Sequence, residues 1–398
     1  MNILIIANFP ANLDGGAPGR FTAIGERLSE RGHSVEMLVS DFLHGAKKHR
    51  RGISGTFKTK ITMLHEPGYP KNISWQRLWS HYQWGRNVER YIEALTTKPD
   101  VIYCAVPSLT AGVRAGRLCK MYGIRFIIDV QDLWPEAFMM ALKNKLLQKV
   151  FIPLEKYVNQ LYAAADAIVA VSETYVNRAL QVNKKVKGGH CVYLGNEGGV
   201  FDASRDNGNV GPSSDGSLRL VYIGTLGYSY DIKCVIDALS LYDKRDSLPH
   251  IKFVIMGHGP LQQEFEKYAK EKNVDCEFTG ILPYSEMVGR MCACDIVVNP
   301  IVKGAAQSIT NKVGDYALSG LPVVNTQENM EYRNLLEEYH CGINCRVGNA
   351  EDVADALVRL AKNPELRKEM GRNGRRLGEE RFDRRKTYQK IIELIEAK

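Results

Sequence analysis

The amino-acid sequence predicts an α/β protein made of two Rossmann-like domains, each a parallel sheet with helices on both faces. The first observation is length, because 398 residues exceed the roughly 100–200 residues of a usual single domain. The second is that short apolar runs alternate with longer amphipathic stretches, the order that produces parallel strands joined by helices. The third is a polar segment that interrupts this alternation once, after which it begins again.

The first half of the chain contains five apolar runs of strand length, separated by segments of helical periodicity. Amphipathic patterns at 20–31 and 110–121 predict two of the helices between them. The predicted strands are 2–7, 34–39, 101–104, 125–130 and 167–171.

Residues 202–217 are rich in Gly, Ser, Asp and Asn, which is the composition of a linker. A last helix, roughly 384–397, has no strand after it and is predicted to pack back across the domains. The strands expected after the linker are 220–223, 252–256, 295–299 and 322–325. The sequence therefore predicts domains at 1–203 and 218–382, a linker at 204–217 and a crossing helix at 383–398.

Charge is distributed unevenly along the chain, whose formal net charge is +8. Residues 1–200 hold 26 basic and 16 acidic residues, whereas residues 201–398 hold 27 and 29. The halves therefore carry +10 and −2, which suggests that the first domain faces an anionic partner. A composition of 44% hydrophobic and 25% charged residues argues against a disordered, fibrous or disulfide-framework chain.

The chain ends and the cysteines favour a cytoplasmic protein. No signal peptide is apparent, and no apolar run approaches the roughly 20 residues that span a bilayer. The nine cysteines are scattered without Cys-x-x-Cys spacing or a matching histidine cluster. We therefore expect no metal site, and mostly buried, reduced thiols.

Ligands of open parallel sheets bind beyond the carboxyl ends of the strands, so residues that follow strands are the candidates. Gly15 and Gly16 precede a helix whose N-terminus suits a phosphate, but the dinucleotide fingerprint Gly-x-Gly-x-x-Gly is absent. A tight turn explains these glycines equally well. Asp132 and Trp134 follow a strand and would suit the floor of a site. Alternatively, Asp132 caps a turn and Trp134 packs into the core.

The segment 307–322 predicts a helix whose first turn contains Lys312. A cation there opposes the helix dipole, and a bound anion would reverse that penalty. Asp315 lies three residues later on the same helix face. We predict that Lys312 binds a diphosphate and Asp315 binds sugar hydroxyls, with a solvated Lys–Asp pair as the alternative. Gly-rich loops at 224–231 and 256–260 also follow strands and lack the dinucleotide fingerprint.

Two features of the first half suggest an anionic ligand at a membrane. One is a basic stretch that looks like a mobile loop after a strand. The other is a segment at 73–84 in which Trp75 and Trp79 recur at helical spacing among arginines, a pattern that favours membrane interfaces. A helix packed on its own sheet is the alternative for this segment. The basic stretch consists of Lys47, Lys48, Arg50 and Arg51.

Six motifs follow one another along the chain in a characteristic order and spacing. They are Gly15-Gly16, Asp129-Val-Gln-Asp-Leu-Trp-Pro-Glu136, Tyr222-Ile-Gly-Thr-Leu-Gly227, Val254-Ile-Met-Gly-His-Gly259, Phe278-Thr-Gly-Ile-Leu282, and Asn311-Lys312 through Pro322. In this order the chain resembles the retaining, nucleotide-sugar-dependent glycosyltransferases of family 4, which have the GT-B fold. The resemblance covers essentially the whole chain and is greatest to bacterial members that build capsule and O-antigen repeats.

The resemblance implies a donor site located mainly in the second domain, with Asp315 as the ligand of the nucleotide ribose. Gln307 stands where the family carries its first acidic residue, eight positions before Asp315. Thr225 and Tyr230 replace an Arg and a Lys of many members, which leaves Lys312 as the main cation on the diphosphate. The implied donor-binding residues are Gly15, Gly16, Gly224, Thr225, Gly257, Leu282, Asn311, Lys312 and Asp315.

The implied reaction is a hexosyl transfer in bacterial surface polysaccharide biosynthesis. An N-acetylated hexosamine or a deoxyhexose would move from a UDP-sugar to a hydroxyl of a polyprenyl-diphosphate-linked saccharide, with retention and without a metal or other cofactor. The implied catalytic residues are Asp132, Lys312 and Gln307. We expect the protein at the inner face of the cell membrane, attached peripherally to the anionic leaflet. The residues expected on the acceptor and membrane side are Arg20, Lys47, Lys48, Arg50, Arg51, Trp75 and Trp79.

Three other functions fit parts of the sequence. A non-hydrolysing nucleotide-sugar 2-epimerase has the same fold, but acid and base groups on both faces of the donor do not stand out. A catalytically silent binding subunit is compatible with Gln307, which brings no charge. A nucleic-acid binder would explain the basic half, but no recognised nucleic-acid module is present, so nucleic acid is not an expected partner.

Overall fold

The computed structural model of the chain describes residues 1–15, 18–72, 74–136, 152–206, 216–305 and 309–397. The chain forms two compact units, Met1–Val192 together with Tyr388–Lys398, and Tyr193–Thr387. Each unit has one parallel sheet and a buried apolar core of its own. The predicted α/β class with two Rossmann-like units is confirmed.

The first unit is built on a parallel sheet whose central strands are buried on both faces, because helices cover it from both sides. Its strands are β1 Asn2–Ile6, β2 Ser34–Ser40, β3 Phe42–Leu43, β4 Lys48–His49, β5 Lys60–Leu64, β6 Val101–Val106, β7 Arg125–Val130, β8 Ala167–Ala170 and β9 His190–Cys191. Seven of them form the sheet in the order β5-β2-β1-β6-β7-β8-β9, whereas β3 and β4 form an antiparallel hairpin. All five strands predicted for this half are present.

Some helix ends of the first unit show recognisable capping chemistry. The Ser74 side chain accepts a hydrogen bond from the amide of Arg77 at the start of the second helix. Gly123 adopts the left-handed conformation that ends the third helix. The helices are α1 Arg20–Glu30, α2 Trp75–Ala94, α3 Leu109–Tyr122, α4 Ile152–Ala164 and α5 Glu173–Val182.

The second unit repeats the plan with a six-stranded parallel sheet. Its strands are β10 Leu218–Ile223, β11 Ile251–Met256, β12 Cys276–Gly280, β13 Ile296–Asn299, β14 Val323–Asn325 and β15 Gly342–Asn344, in the order β12-β11-β10-β13-β14-β15. Its helices are α6 Gly198–Asp206, α7 Ile232–Tyr242, α8 Gln262–Glu271, α9 Tyr284–Cys292, α10 Lys312–Ser319, α11 Met330–Glu338, α12 Ala350–Lys362, α13 Pro364–Leu377 and, after a π-helical turn at Gly378–Phe382, α14 Arg384–Thr387.

The division between the units lies earlier in the chain than the polar composition suggests. Helix α6 begins at Gly198 and belongs to the second unit, where Phe201 is fully buried and Arg205 donates to the carbonyl oxygen of Leu318 at 2.6 Å. The predicted first domain, 1–203, therefore extends too far, and the start of the predicted linker is helical. Small and polar residues make up most of α6, which gives the helix a linker-like composition. Residues 207–215 of the predicted linker lie outside the described residues.

The C-terminal segment returns to the first unit as the short helix α15, Gln389–Glu396. Tyr388, Ile391 and Ile395 are fully buried in the core of that unit. Glu396 forms an ion pair with Arg31 at 2.7 Å. The predicted last helix is thus present, but it is divided, because residues 384–387 form a separate turn of helix in the second unit.

Within the described residues, no helix is long and apolar enough to cross a membrane. All nine cysteines are free thiols, and six of them are buried. Burial raises the pKa of the Cys294 and Cys341 thiols to about 12. These cysteines therefore act as small apolar side chains of the cores.

Candidate functional site

Glycine loops meet at the carboxyl edge of the second sheet. Gly224 follows β10 with a φ of +137°, and Gly257 follows β11 with a φ of +144°. A Cβ atom on Gly257 would lie 1.9 Å from the carbonyl oxygen of Gly224, so only glycine fits there. The amide of Gly224 donates to the carbonyl of Met256 at 2.9 Å. The structure thus brings together Gly224, Gly257 and the exposed Thr225, all predicted from the sequence.

Lys312 begins helix α10 and extends toward these loops. Its Nζ donates to the carbonyl oxygen of Ile223 at 3.2 Å, and a Cβ atom on Gly224 would lie 3.2 Å from it. The ammonium also lies 4.2 Å from the ring centre of Tyr222 and 3.8 Å from that of Tyr230. Burial holds the pKa of Lys312 well below its ordinary value. Among the described residues no carboxylate forms an ion pair with it, so the position favours a bound anion.

Asp315 lies one helical turn after Lys312 and is buried. Its Oδ1 accepts a hydrogen bond from the Tyr284 hydroxyl at 2.8 Å and another from the side-chain amide of Asn196. Burial raises the pKa of Asp315 to about 7, although these two donors and Arg384 oppose the shift. The alternative of a solvated Lys–Asp pair is wrong, because the two side chains have separate partners.

Other residues predicted for donor binding lie around this edge or outside the described residues. Asn311 is exposed just before α10, and its side chain makes no capping hydrogen bond. Leu282 is half-buried, two residues before Tyr284. Gln307 lies outside the described residues. Asn196 and Tyr284 were not predicted, since each is isolated in the sequence and neither belongs to a motif.

A second group of polar residues lies at the carboxyl edge of the first sheet. A cavity of about 240 Å³ is lined there by side chains that include Phe9, Arg77, His81 and Gln131. Arg77 donates from Nε to Nε2 of His81 at 3.3 Å. Burial and the neighbouring Arg77 lower the pKa of His81 to about 3, so its ring is neutral at physiological pH. His81 was not predicted as a site residue, because in the sequence it is one more position of an amphipathic helix and no motif distinguishes it.

Asp132 lies beside this cavity, with its carboxylate bound to neighbouring residues. It accepts hydrogen bonds from the Trp134 indole at 3.0 Å and from the Leu133 amide at 2.9 Å. Burial raises its pKa, against the effect of these donors and of Arg77. Trp134 is buried, with the Arg77 guanidinium 4.4 Å from its ring centre. The turn predicted as the alternative for Asp132 is therefore present, together with a half-buried carboxylate.

A larger cavity, about 500 Å³, adjoins the same edge of the first sheet. Gly15 and Arg50 both line this cavity, and Gly15 has a φ of +121°. The Arg50 Nε and Nη1 atoms are buried without a hydrogen-bond partner among the described residues, and the nearest carboxylate oxygen, from Asp14, is 3.8 Å from Nη1. This arginine could bind an anion in the cavity. Gly16 lies outside the described residues.

Arg20 was assigned to the acceptor and membrane side, and this assignment is wrong. Its side chain is only 3% exposed and forms an ion pair with Asp129 at 2.6 Å. It also donates to the carbonyl oxygen of Val192 at 2.9 Å. A guanidinium enclosed in this way supports the fold of the first unit and cannot reach a membrane surface.

The basic stretch is more ordered than a mobile loop, because it contains β4, which pairs with the preceding strand β3. Lys47 donates to the side-chain oxygen of Asn72 at 2.5 Å, while Lys48 and Arg51 are exposed. Trp75 and Trp79 are 82% and 57% exposed. The alternative of a helix packed on its own sheet holds for the opposite face of α2, which is buried, whereas Trp75 and Trp79 themselves are exposed. The face of α2 that packs inward consists of Ser80, Trp84, Gly85, Val88, Glu89 and Ile92.

Comparisons with known proteins agree with this architecture. Residues 15–189 match the model of the domain described as Glycosyltransferase Family 4, and residues 217–363 match that described as Glycosyl transferases group 1. Together the two matches cover most of both units. A relative named as a glycosyltransferase, EpsD of Bacillus subtilis strain 168, is 22% identical over 358 residues, which cover 85% of this chain and 84% of EpsD. The uncharacterized glycosyltransferase MJ1069 of Methanocaldococcus jannaschii is 22% identical over 64% of this chain, and the match spans 66% of MJ1069, just under two thirds.

Solved structures show the same fold at low sequence identity. HepE (Alr3699) of Anabaena in complex with UDP matches with a TM-score of 0.69 at 16% identity, over 99% of both chains. WaaG, a glycosyltransferase involved in lipopolysaccharide biosynthesis, matches with a TM-score of 0.64 at 13% identity, over 100% of both chains. HepE has also been solved with UDP-glucose. These likenesses establish the GT-B architecture of the chain.

Proposed function

We propose that this chain, a glycosyltransferase with the GT-B fold, transfers a sugar from a UDP-sugar to a hydroxyl of a polyprenyl-diphosphate-linked saccharide, with retention. The observation that carries the proposal is the half-buried Lys312 ammonium, which has no carboxylate partner in the described part of the chain and faces glycine loops. A nucleoside diphosphate would supply the missing anion. The UDP complexes of structurally similar HepE support the choice of nucleotide.

In the proposed reaction, the acceptor oxygen forms a bond to the anomeric carbon while the bond from that carbon to the diphosphate breaks. The negative charge that develops on the diphosphate is stabilised by Lys312, by the N-terminus of α10 and by amides of the glycine loops. Asp315 accepts hydrogen bonds from the ribose hydroxyls. With these groups in place, the leaving group needs no metal ion.

The remaining predicted catalytic residues act on the sugars. Asp132, whose pKa is raised by burial, is proposed to accept the proton of the acceptor hydroxyl, since a raised pKa makes a carboxylate a stronger base. Gln307 is proposed to hydrogen-bond a hydroxyl of the donor sugar. Within the first unit, the cavity edge near Arg50 offers positive charge for the lipid diphosphate. The product would extend a bacterial surface polysaccharide.

UDP-sugars are expected to raise the melting temperature of the protein, and by more at about pH 8 than at about pH 6. Asp315, with a pKa of about 7, becomes ionised across this range, and a carboxylate accepts stronger hydrogen bonds than its acid. A difference of about 1 kcal/mol in the free energy of donor binding between the two pH values corresponds to roughly five-fold in affinity. Asp315→Asn should remove this pH dependence. Thermal shift against UDP-, GDP- and dTDP-sugars is the measurement.

Without a donor, the pH dependence of stability should have the opposite sign. Because the pKa of Asp315 in the folded chain lies above its ordinary 3.8, the folded state binds this proton more tightly than the unfolded state. The free energy of unfolding should therefore fall as the pH rises from about 4 through 7. Equal donor-induced shifts at both pH values, unchanged in Asp315→Asn, would contradict the role of Asp315. No shift with any nucleotide sugar would contradict the donor class.

The exposed aromatic face of α2 is proposed to attach the enzyme to the anionic inner leaflet of the cell membrane. Trp75→Ser combined with Trp79→Ser should lower binding to anionic vesicles by about 30- to 1,000-fold, since each buried large apolar side chain contributes roughly 1–2 kcal/mol. Co-sedimentation with vesicles measures this. Met121→Ser is a matched control, because Met121 is 65% exposed on another helix of the same unit. Equal binding of the double variant and the wild type would contradict the proposal.

A catalytically silent subunit is the second candidate, and the uncharged Gln307 is the observation that favours it. Such a protein would bind the nucleotide sugar without turnover. Release of UDP from a UDP-sugar, with either water or a lipid-linked sugar as the acceptor, would exclude it.

A further inference from the structure

Three side chains of metal-ligand type meet near the carboxyl edge of the first sheet. Asp41 directly follows β2, His49 lies in β4, and His65 directly follows β5. His65 Nδ1 is 2.9 Å from one carboxylate oxygen of Asp41, and His49 Nδ1 is 3.3 Å from the other. The three ligand atoms all lie within 4.8 Å of one another. The two imidazole rings stack with centres 5.4 Å apart and an angle of 18° between their planes.

These distances match those between ligands of one zinc-type ion. Zinc binds histidine nitrogen and carboxylate oxygen at about 2.0–2.2 Å, so neighbouring ligands of a tetrahedral site lie roughly 3.4 Å apart. The contacts of Asp41 with the two histidines are already close to this value. Two imidazoles and one carboxylate are a ligand set that suits divalent transition metals.

The ligands are supported by neighbouring backbone groups. The amide of Glu66 donates to Asp41 Oδ1 at 2.8 Å, which orients the carboxylate. The amide of Arg50 donates to the carbonyl oxygen of Asp41 at 2.8 Å and so holds β4 beside β2. Phe42 lies opposite His49 in the hairpin, with its ring 5.4 Å away. Such outer contacts are what keep metal ligands in place.

We propose that Asp41, His49 and His65 form a binding site for a divalent zinc-type ion, with water completing its coordination. Both histidines are exposed, so the ion has a path from solvent. The site joins the β3–β4 hairpin to the ends of β2 and β5. Because Leu43, His44 and Arg50 of this region line the 500 Å³ cavity, a bound ion would hold one wall of that cavity in place. This role is structural and independent of the donor chemistry.

From the sequence alone we expected no metal site, because that expectation rested on cysteine spacing and on the absence of a matching histidine cluster. The ligands stand at positions 41, 49 and 65, and no motif links them. Only the pairing of β2 with β5 and the hairpin bring them together.

The full, tag-free protein is first treated with a chelator to remove bound metal. Equilibrium dialysis against buffered Zn²⁺ then tests the proposal. We expect one zinc ion per chain, and replacement by Co²⁺ should give the visible absorption of a low-symmetry site. Loss of an outer-shell partner alone lowers metal affinity about 10–100-fold, so His49→Ala and His65→Ala should each lower it by at least about 100-fold. His250→Ala is a matched control, because exposed His250 pairs with a single carboxylate, Asp275, at 3.1 Å.

Amide hydrogen exchange gives a second measurement. Zinc should slow amide exchange in residues 42–50 of the wild type. In the His65→Gln variant, zinc should leave the exchange rate of these residues unchanged. This variant keeps a hydrogen-bond donor for Asp41, so it should fold even if an alanine does not. The proposal is overturned if the folded wild type retains no zinc, or if the folded variants retain as much as the wild type. Neither measurement uses a nucleotide or turnover, so failure here is distinguishable from failure of the proposed transferase reaction.

Discussion

Lys312→Ala is expected to lower kcat by about 10²–10³-fold, equivalent to roughly 3–4 kcal/mol of transition-state stabilisation. The ammonium is half-buried beside the carbonyl of Ile223 and the rings of Tyr222 and Tyr230. Within the described residues no carboxylate pairs with it, so its charge is available to the diphosphate that leaves. Steady-state release of UDP from a UDP-sugar measures the effect.

The fold should survive this substitution. Because burial already lowers the pKa of Lys312, removal of the amine relieves a desolvation penalty, and the melting temperature without donor should not fall. Lys233→Ala is a matched control, because Lys233 is a more exposed lysine in the first turn of α7 that pairs with Glu264 at 2.5 Å. Its kcat should stay within about two-fold of the wild type. Full turnover in a folded Lys312→Ala variant would show that another group stabilises the leaving diphosphate.

The fold was largely predictable because the strands of both sheets are covered on both faces by helices. Continuous apolar runs such as those at β1 and β7 are therefore visible without any tertiary information. The β3–β4 hairpin was missed, since strands of two residues each are too short to show a periodicity. The start of α6 was missed because Phe201 is its only large buried apolar side chain, the other buried residues being Gly198 and Ser204.

The residues at the carboxyl edge of the second sheet were predictable where one of them breaks a local rule. Lys312 opposes a helix dipole, Gly257 occupies a loop where only a missing Cβ permits the approach of Gly224, and both glycines have a positive φ. Asn196 and Tyr284 could not be found in this way, because their only distinction is contact with Asp315 across 119 and 31 residues of sequence.

The burial of Arg20 was not predictable for a related reason. Its partner Asp129 lies 109 residues away, and a count of charges along the chain treats both as surface groups. Because this internal pair is neutral, it leaves the surplus of positive charge in the first half unchanged and shows only that Arg20 is not part of it at the surface. Exposed Lys48 and Arg51, rather than Arg20, remain the cations available to an anionic leaflet.

Arg20→Met is expected to destabilise the first unit by about 3–5 kcal/mol, because it leaves the carboxylate of Asp129 buried without its cation. Asp129 is fully buried and also accepts hydrogen bonds from the Tyr103 hydroxyl and the Gln131 side chain, each at 2.6 Å. These neutral donors do not replace a positive charge. In a unit of this size, the loss corresponds to a fall of roughly 10 °C in melting temperature. Thermal unfolding followed by circular dichroism is the measurement.

Two further variants separate this structural role from a role at the membrane. Adding Asp129→Asn to Arg20→Met should recover most of the loss, because the buried charge disappears while an acceptor for Tyr103 remains. Arg51→Met, at an exposed position of the same unit, should change the free energy of unfolding by less than about 0.5 kcal/mol. If Arg20→Met instead kept its melting temperature and lost only binding to anionic vesicles, Arg20 would belong to the membrane side after all. Recovery by Asp129→Asn has no explanation in that case, since a neutral residue in the core adds nothing to a membrane contact.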